Sequence, residues 1–255
     1  MRLVAPLCVL WASVAFGGDL LIAPAELRGG AYRIVDLRSE EEYAKGHIPG
    51  AVRLSLRDLD NLEANRHGLP VSMDQAREVF ARLGLDKKTP VVAYDDVNGR
   101  AAARLFYFLE FFGHNQVQVL DGGWKRWVAE GGAQETVTPQ IAAARAQPKI
   151  KNKHFADAGR VTDKKATLLD SRSAEEYASQ HIPGALNLDW RQVITPEGRF
   201  KTPQELQALF QSRNITPNKE AVTYCLSGIR ASALYFALRL AGYSKARVYD
   251  GSWED

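Results

Sequence analysis

The sequence predicts an α/β protein made of two tandem domains of one design, each a parallel sheet covered by helices on both faces. Three observations carry this. Residues 35–54, VDLRSEEEYAKGHIPGAVRL, recur at 169–188 as LDSRSAEEYASQHIPGALNL, with 13 of 20 positions identical. Further on, Gly99 to Trp124 aligns without a gap to Gly228 to Trp253, carrying Leu-Asp-Gly-Gly-Trp onto Tyr-Asp-Gly-Ser-Trp. Within each copy, short apolar runs alternate with helical patterns, the signature of strands joined by helical crossovers.

The elements follow in order. Arg33 to Asp36, Pro90 to Tyr94 and Val117 to Leu120 read as buried strands of the first copy. Ala101 to Phe112 reads as a helix stopped at Gly113. In the second copy the strands are Thr167 to Leu169, Ala221 to Tyr224 and Ala246 to Tyr249, and the helix Ala231 to Ala241 stops at Gly242. Between the copies, Gly131 to Lys153 is rich in Ala, Gln, Thr, Lys and Pro and has no period. Residues 134–153 are therefore expected to be a linker, between domains 19–133 and 154–255.

Residues 1–18, MRLVAPLCVLWASVAFGG, have the order of a secretory signal peptide. Arg2 is followed by an apolar run, then by small residues offering two cleavage frames, Ser13-Val14-Ala15 and Ala15-Phe16-Gly17. The run is shorter than the roughly 20 apolar residues a bilayer span needs. The competing reading is a buried first element of the fold. The expectation is an exported, periplasmic protein with no membrane attachment after cleavage. Removal of Cys8 would leave Cys225 as the one thiol of the 255-residue chain.

Composition narrows the function. Hydrophobic residues are 45% and charged residues 25%, and 33 basic against 30 acidic side chains leave a net charge of +3. That balance argues against a nucleic-acid partner. The histidines are scattered and no Cys/His cluster has zinc-site spacing, so a structural metal site is not expected.

The chemistry is expected where the repeat breaks. The second copy reads Tyr224-Cys225-Leu226-Ser227-Gly228-Ile229-Arg230, whereas the first reads Tyr94-Asp95-Asp96-Val97-Asn98-Gly99-Arg100. Asp95 stands where Cys225 stands, and the first loop is one residue longer. Cys225 ends a central strand and opens a tight turn into a helix N-terminus. Successive N–H groups there form an anion-binding nest that the helix dipole reinforces, and Arg230 adds a full charge. These features favour a thiolate nucleophile; the competing reading is an inert core cysteine.

These motifs resemble the tandem-domain sulfurtransferases of the rhodanese family. The matching pieces are Asp36-x-Arg38…His47-Ile-Pro-Gly50, Asp170-x-Arg172…His181-Ile-Pro-Gly184, the Cys225-x-x-Gly-x-Arg230 loop, Asp121-Gly-Gly-Trp124 and Asp250-Gly-Ser-Trp253. The resemblance implies a catalytically silent first domain and a catalytic second one. It also implies sulfane-sulfur transfer through a Cys225 persulfide at the domain interface, without metal or organic cofactor. The donor would be a small anion. The acceptor would be cyanide or a thiol, a thioredoxin-like protein among the candidates. In that scheme the N–H groups of Leu226, Ser227, Gly228, Ile229 and Arg230 hold the persulfide. The Arg230 side chain stabilises donor and leaving group, and Arg191, Arg199 and Lys201 line the entrance. Thiosulfate is favoured over 3-mercaptopyruvate: Glu176 stands where the longer relatives tend to carry a substrate-binding Arg, and Leu226 replaces the first Gly of the mercaptopyruvate-type Cys-Gly-Ser-Gly loop, while Ser227 keeps that loop's Ser and departs from the Lys frequent in thiosulfate-type relatives.

His47 and His181 occur in both copies, so a turn role beside Pro-Gly is expected rather than a Cys–His pair. Asp36/Arg38 and Asp170/Arg172 are expected as ion pairs, and Trp124 and Trp253 as core anchors. Cys-based phosphatases also use a Cys…Arg loop, but with five intervening residues; here Leu226 to Ile229 make four. A persulfide carrier or redox-sensing module without turnover is the non-enzymatic alternative.

Overall fold

The computed structural model describes residues 20–60, 71–142, 144, 147–163 and 165–251. The leader, Cys8 and Trp253 fall outside them. The first copy contains β1 (Leu21–Ile22), α1 (Pro24–Arg28), β2 (Arg33–Asp36), α2 (Glu40–Lys45), β3 (Val52–Arg53), α3 (Met73–Arg82), β4 (Val91–Tyr94), α4 (Arg100–Phe111), β5 (Val117–Leu120) and α5 (Gly123–Ala129). The second contains β6 (Phe155–Ala156), α6 (Ala158–Val161), β7 (Thr167–Asp170), α7 (Ala174–Ser179), β8 (Leu186–Asn187), α8 (Pro203–Ser212), β9 (Ala221–Tyr224), α9 (Ile229–Leu240) and β10 (Ala246–Tyr249).

Each copy forms a five-stranded parallel sheet, ordered β1-β5-β4-β2-β3 and β6-β10-β9-β7-β8. β4 and β9 are central and buried along their length, as the runs VVAY and AVTY require of strands covered on both faces. Their carboxyl ends deliver Asp95 and Cys225 to equivalent places, where sites in open α/β sheets lie. The strands expected from sequence are present. The edge strands β1, β3, β6 and β8 were not anticipated; each is two residues long, too short to form an apolar run.

The copies share one core. α4 and α9 follow the two equivalent loops and pack on each other. Phe106 meets Phe236 edge-to-face at 4.8 Å, and Tyr107 meets Tyr235 at 5.5 Å. Full burial of one such aromatic side chain contributes about 1.5–3 kcal/mol, so this seam holds the two loops in fixed relation.

Repeated polar frames brace each sheet. Arg38 donates to Asp36 through Nε and Nη2, and Nη2 also reaches the Gly46 carbonyl at 2.7 Å. Arg172 does the same with Asp170 and the Gln180 carbonyl. The Tyr94 and Tyr224 hydroxyls accept from the Ile48 and Ile182 N–H groups at 3.2 and 3.1 Å. His47 and His181 stack on Tyr43 and Tyr177, ring centroids 3.8 and 3.9 Å apart, and each Nδ1 lies against the tyrosine carbonyl. Both histidines thus have the turn role their repetition suggests. The Arg38 guanidinium covers the half-buried Trp124 ring at 3.9 Å.

The segment between the copies is packed against the first domain. Glu135 exchanges both backbone bonds with His47 at 2.9 Å, and the Lys149 and Lys151 N–H groups donate to the Phe112 and Phe111 carbonyls. Several of its contacts are made by backbone groups, which leave no period in the side chains to read, while the Glu135 carboxylate accepts from the Gly50 N–H at 2.6 Å.

Candidate active site

Cys225 is 1% exposed at the end of β9, while the next residue, Leu226, is 40% exposed. The chain therefore turns at once from core to surface. Gly228 caps α9 with φ 81°, a left-handed conformation favoured by glycine. A side chain there would also collide with Asp250 at 2.3 Å and Arg104 at 2.8 Å. Ser227 and Ile229 are half-buried on either side.

The equivalent loop of the first copy shows what this backbone holds. The buried Asp95 carboxylate accepts from the N–H groups of Val97 at 2.9 Å, Gly99 at 2.8 Å and Ala102 at 2.9 Å. The nest is real and is filled by a carboxylate of the chain itself. By the gapless alignment, Gly228 and Ala231 correspond to Gly99 and Ala102. A backbone that cradles an anion in one copy carries the thiol in the other.

Arg230, in the first turn of α9, is half-buried and faces Cys225. Burial pulls its pKa down, while Glu176 and Cys225 lift it above the ordinary value. Its Nη1 and Nη2 donate to the two Glu176 oxygens at 2.6 and 2.9 Å. Hydrogen bonding from Arg230 holds the Glu176 carboxyl down at about 2. The first copy has Ala101 at the Arg230 position.

The entrance cations are distributed differently from expectation. The guanidinium of Arg199 is engaged by Asp121 of the first domain, which also binds Arg126. That makes Arg199 an interdomain tie, its side chain still 45% exposed. Arg191 pairs with Asp189 while remaining 67% exposed, and its charge is felt at Glu175 and Glu176. Lys201 is half-buried just before α8, its charge felt at Glu205 and its N–H bonded to the Val193 carbonyl at 3.0 Å. Of the expected side chains, Arg230 is the one in electrostatic contact with the thiol.

Sequence reasoning missed Arg104. It lies in α4 of the first domain, is 2% exposed, and donates to Asp250 Oδ1 at 2.5 Å directly beneath Gly228. The repeat held a signal, since the second copy has Ala233 at that position. Asp121–Arg199 and Asp250–Arg104 are thus reciprocal: each copy offers the same aspartate to an arginine of the other.

Among the described residues, no group of three or more His, Cys, Asp or Glu side chains could hold a metal ion. Nor is any described helix long and apolar enough to cross a membrane. The second-copy loop brings together a buried thiol and a half-buried guanidinium, at the place where the first-copy loop holds a carboxylate with backbone donors.

Comparison with known proteins gives the same picture. The rhodanese-like domain model matches twice, over residues 23–130 and 156–255. A sulfur carrier protein, TtuD of Thermus thermophilus, is 32% identical over 84% of this chain and 83% of its own. A thiosulfate sulfurtransferase of Azotobacter vinelandii is 29% identical over 92% of each. Among solved structures, the 3-mercaptopyruvate sulfotransferase SseA of Escherichia coli shares the fold, with a TM-score of 0.84, 24% identity, and coverage of 93% of this chain and 100% of that one.

Proposed function

The chain belongs to the rhodanese family, and from that premise we propose that it is a sulfurtransferase working through a persulfide on Cys225. Thiosulfate is the preferred donor and 3-mercaptopyruvate the second. The observation that carries the reading is the Asp95 nest: the equivalent loop of the second copy, one residue shorter and with a thiol in place of the carboxylate, suits an anionic sulfur species.

The exchange is a pair of displacements. The Cys225 thiolate attacks the outer sulfur of thiosulfate; the new Sγ–S bond forms as the old S–S bond breaks, and sulfite leaves with the electron pair. The persulfide anion remains against the N–H groups of residues 226–230, where preorganised donors act best. A thiol or cyanide then attacks the terminal sulfur and regenerates the Cys225 thiolate, giving a new persulfide or thiocyanate. Arg230 stabilises the charge of donor and departing sulfite. A protein thiol of the thioredoxin type is an acceptor the exposed loop could meet.

A second reading is a persulfide carrier that hands its sulfur to one partner without steady turnover, and similarity to a sulfur carrier protein favours it. The apolar leader of residues 1–18 supports export to the periplasm.

Intact mass after exposure to thiosulfate tests the chemistry and the leader together. The expected result is a gain of one sulfur on a chain shortened at the leader. Cys225→Ser should take up none while keeping its fold, because a hydroxyl is similar in size and a far weaker nucleophile. Multiple turnovers with thiosulfate and cyanide would separate the enzyme from the carrier. Sulfur uptake by the Cys225→Ser protein would overturn the mechanism.

A further inference from the structure

We propose that Glu176 is a specificity-determining residue that competes with the anionic donor for Arg230, so that the resting site discriminates against doubly charged donors. The inference rests on the reading above, in which Arg230 receives the donor's charge.

The geometry is that of an occupied receptor. Two parallel N–H···O bonds join guanidinium to carboxylate, the fork that would otherwise grip a sulfonate-type oxygen pair. A donor anion that uses those Nη groups must displace the carboxylate or share with it. Displacement is feasible, because the Glu176 side chain is 37% exposed and can be taken over by water. The carboxylate stays charged at all ordinary pH. The other cations that act on it are already engaged, Arg172 by Asp170 and Arg191 by Asp189.

The simpler account is that Glu176 only caps a helix. It does cap α7: Ser173 N–H donates to Glu176 Oε2 at 3.0 Å, and Ser173 Oγ accepts from Glu176 N–H at 3.2 Å. The repeat separates the two roles. Glu42, the first-copy counterpart, stands at the same place in α2 beneath the same serine cap. It faces Lys45 at 2.7 Å, and the position equivalent to Arg230 is Ala101. The contact with a half-buried arginine belongs to the copy that has the thiol.

The test is donor discrimination by Glu176→Gln, which keeps an oxygen for the Ser173 cap and removes the charge. The probes are thiosulfate, a dianion, and the persulfide of 2-mercaptoethanol, whose organic part carries no charge. The expected result is a rise in kcat/KM for thiosulfate of about 3- to 10-fold, mostly in KM, the range for one partly exposed charge pair. The mercaptoethanol persulfide should be unaffected. Ser173→Ala loosens the same helix start without touching the carboxylate and should leave the donor ratio unchanged. Sulfate should also bind more tightly to Cys225→Ser protein carrying Glu176→Gln than to Cys225→Ser alone, read by calorimetry without turnover. Equal changes for both donors, or an unchanged or lower thiosulfate efficiency, would reject the proposal. Failure of the wild-type chain to take up sulfur at all would instead reject the function on which it rests.

Discussion

Arg104 and Asp250 lie 146 residues apart in the chain, in different domains, and meet at 2.5 Å with both side chains 2% exposed. Burial raises the aspartate's pKa, and the guanidinium, which cannot release its proton, opposes that rise. Both groups lie within 3 Å of where a side chain on Gly228 would begin. The first domain thus supplies the floor of the loop that carries Cys225.

Breaking this pair should be costly. Arg104→Met leaves a buried carboxylate without its cation, worth about 3–5 kcal/mol of stability. Pairing it with Asp250→Asn should restore a large part of that loss. Urea unfolding of the two single variants and the double variant measures the coupling; strictly additive losses would show that the residues act independently.

Asp95 is expected to matter for folding and not for chemistry. Asp95→Ala strands the N–H groups of Val97, Gly99 and Ala102 in a buried loop, at about 2–4 kcal/mol. Below the melting temperature, turnover should hold, since the thiol lies in the other domain. Asp95→Cys should add no second sulfur, because its loop is one residue longer and its N–H groups are set for a carboxylate. Intact mass counts the sulfurs directly.

Arg230→Ala should raise KM and lower kcat/KM for thiosulfate by roughly 10-fold or more, the loss of one charge-assisted contact. Arg230→Lys should recover part of it, because a point charge cannot reproduce the fork that Glu176 now occupies. The mercaptoethanol persulfide should be much less affected. Equal slowing of both donors would mark Arg230 as a loop-shaping residue only.

His154 predicts an acid-side loss of stability. It is 2% exposed beside the Tyr235 hydroxyl at 2.7 Å. Burial, reinforced by Arg239 and Lys153, drives its pKa down to about 3. In the unfolded chain it would titrate near 6.5. The native state therefore excludes a proton the unfolded state accepts. The stability is complete above roughly pH 6.5 and falls as pH drops toward about 3, by up to about 1.4 kcal/mol per pH unit. His154→Phe should flatten that part of the pH profile in chemical unfolding, measured against wild type so that Glu110 and other carboxylates cancel.

How legible the molecule was in its sequence depends on the range of the interaction. The sheets, α4 and α9 and the two equivalent loops follow from local runs and from a repeat, so they can be read along the chain. The Asp36–Arg38 and Asp170–Arg172 pairs are two residues apart, and the repeat marks them. Arg104 hides inside RAAARLFYFLEF, an apolar helix in which an arginine within the run has no local meaning. Its partner becomes visible only when the copies face each other. The same holds for Arg199, which reads as a loop cation until Asp121, 78 residues away, is beside it. The Glu176–Arg230 contact spans 54 residues and was likewise closed to one-dimensional reading, although both residues drew notice separately.

The carboxylate in the first loop is a ligand tethered to its own receptor, at an effective concentration no solute can match. The backbone amides it holds should therefore exchange their hydrogens at a rate indifferent to sulfur supply. In the proposed mechanism the corresponding amides, those of Gly228 and Ala231, belong to the loop whose terminal group changes as Cys225 loads and unloads. Their protection should rise with loading, as binding to the native state slows local opening. One molecule thus carries both a reporting loop and its own reference, with Gly99 and Ala102 recording the behaviour of a nest that is never vacated.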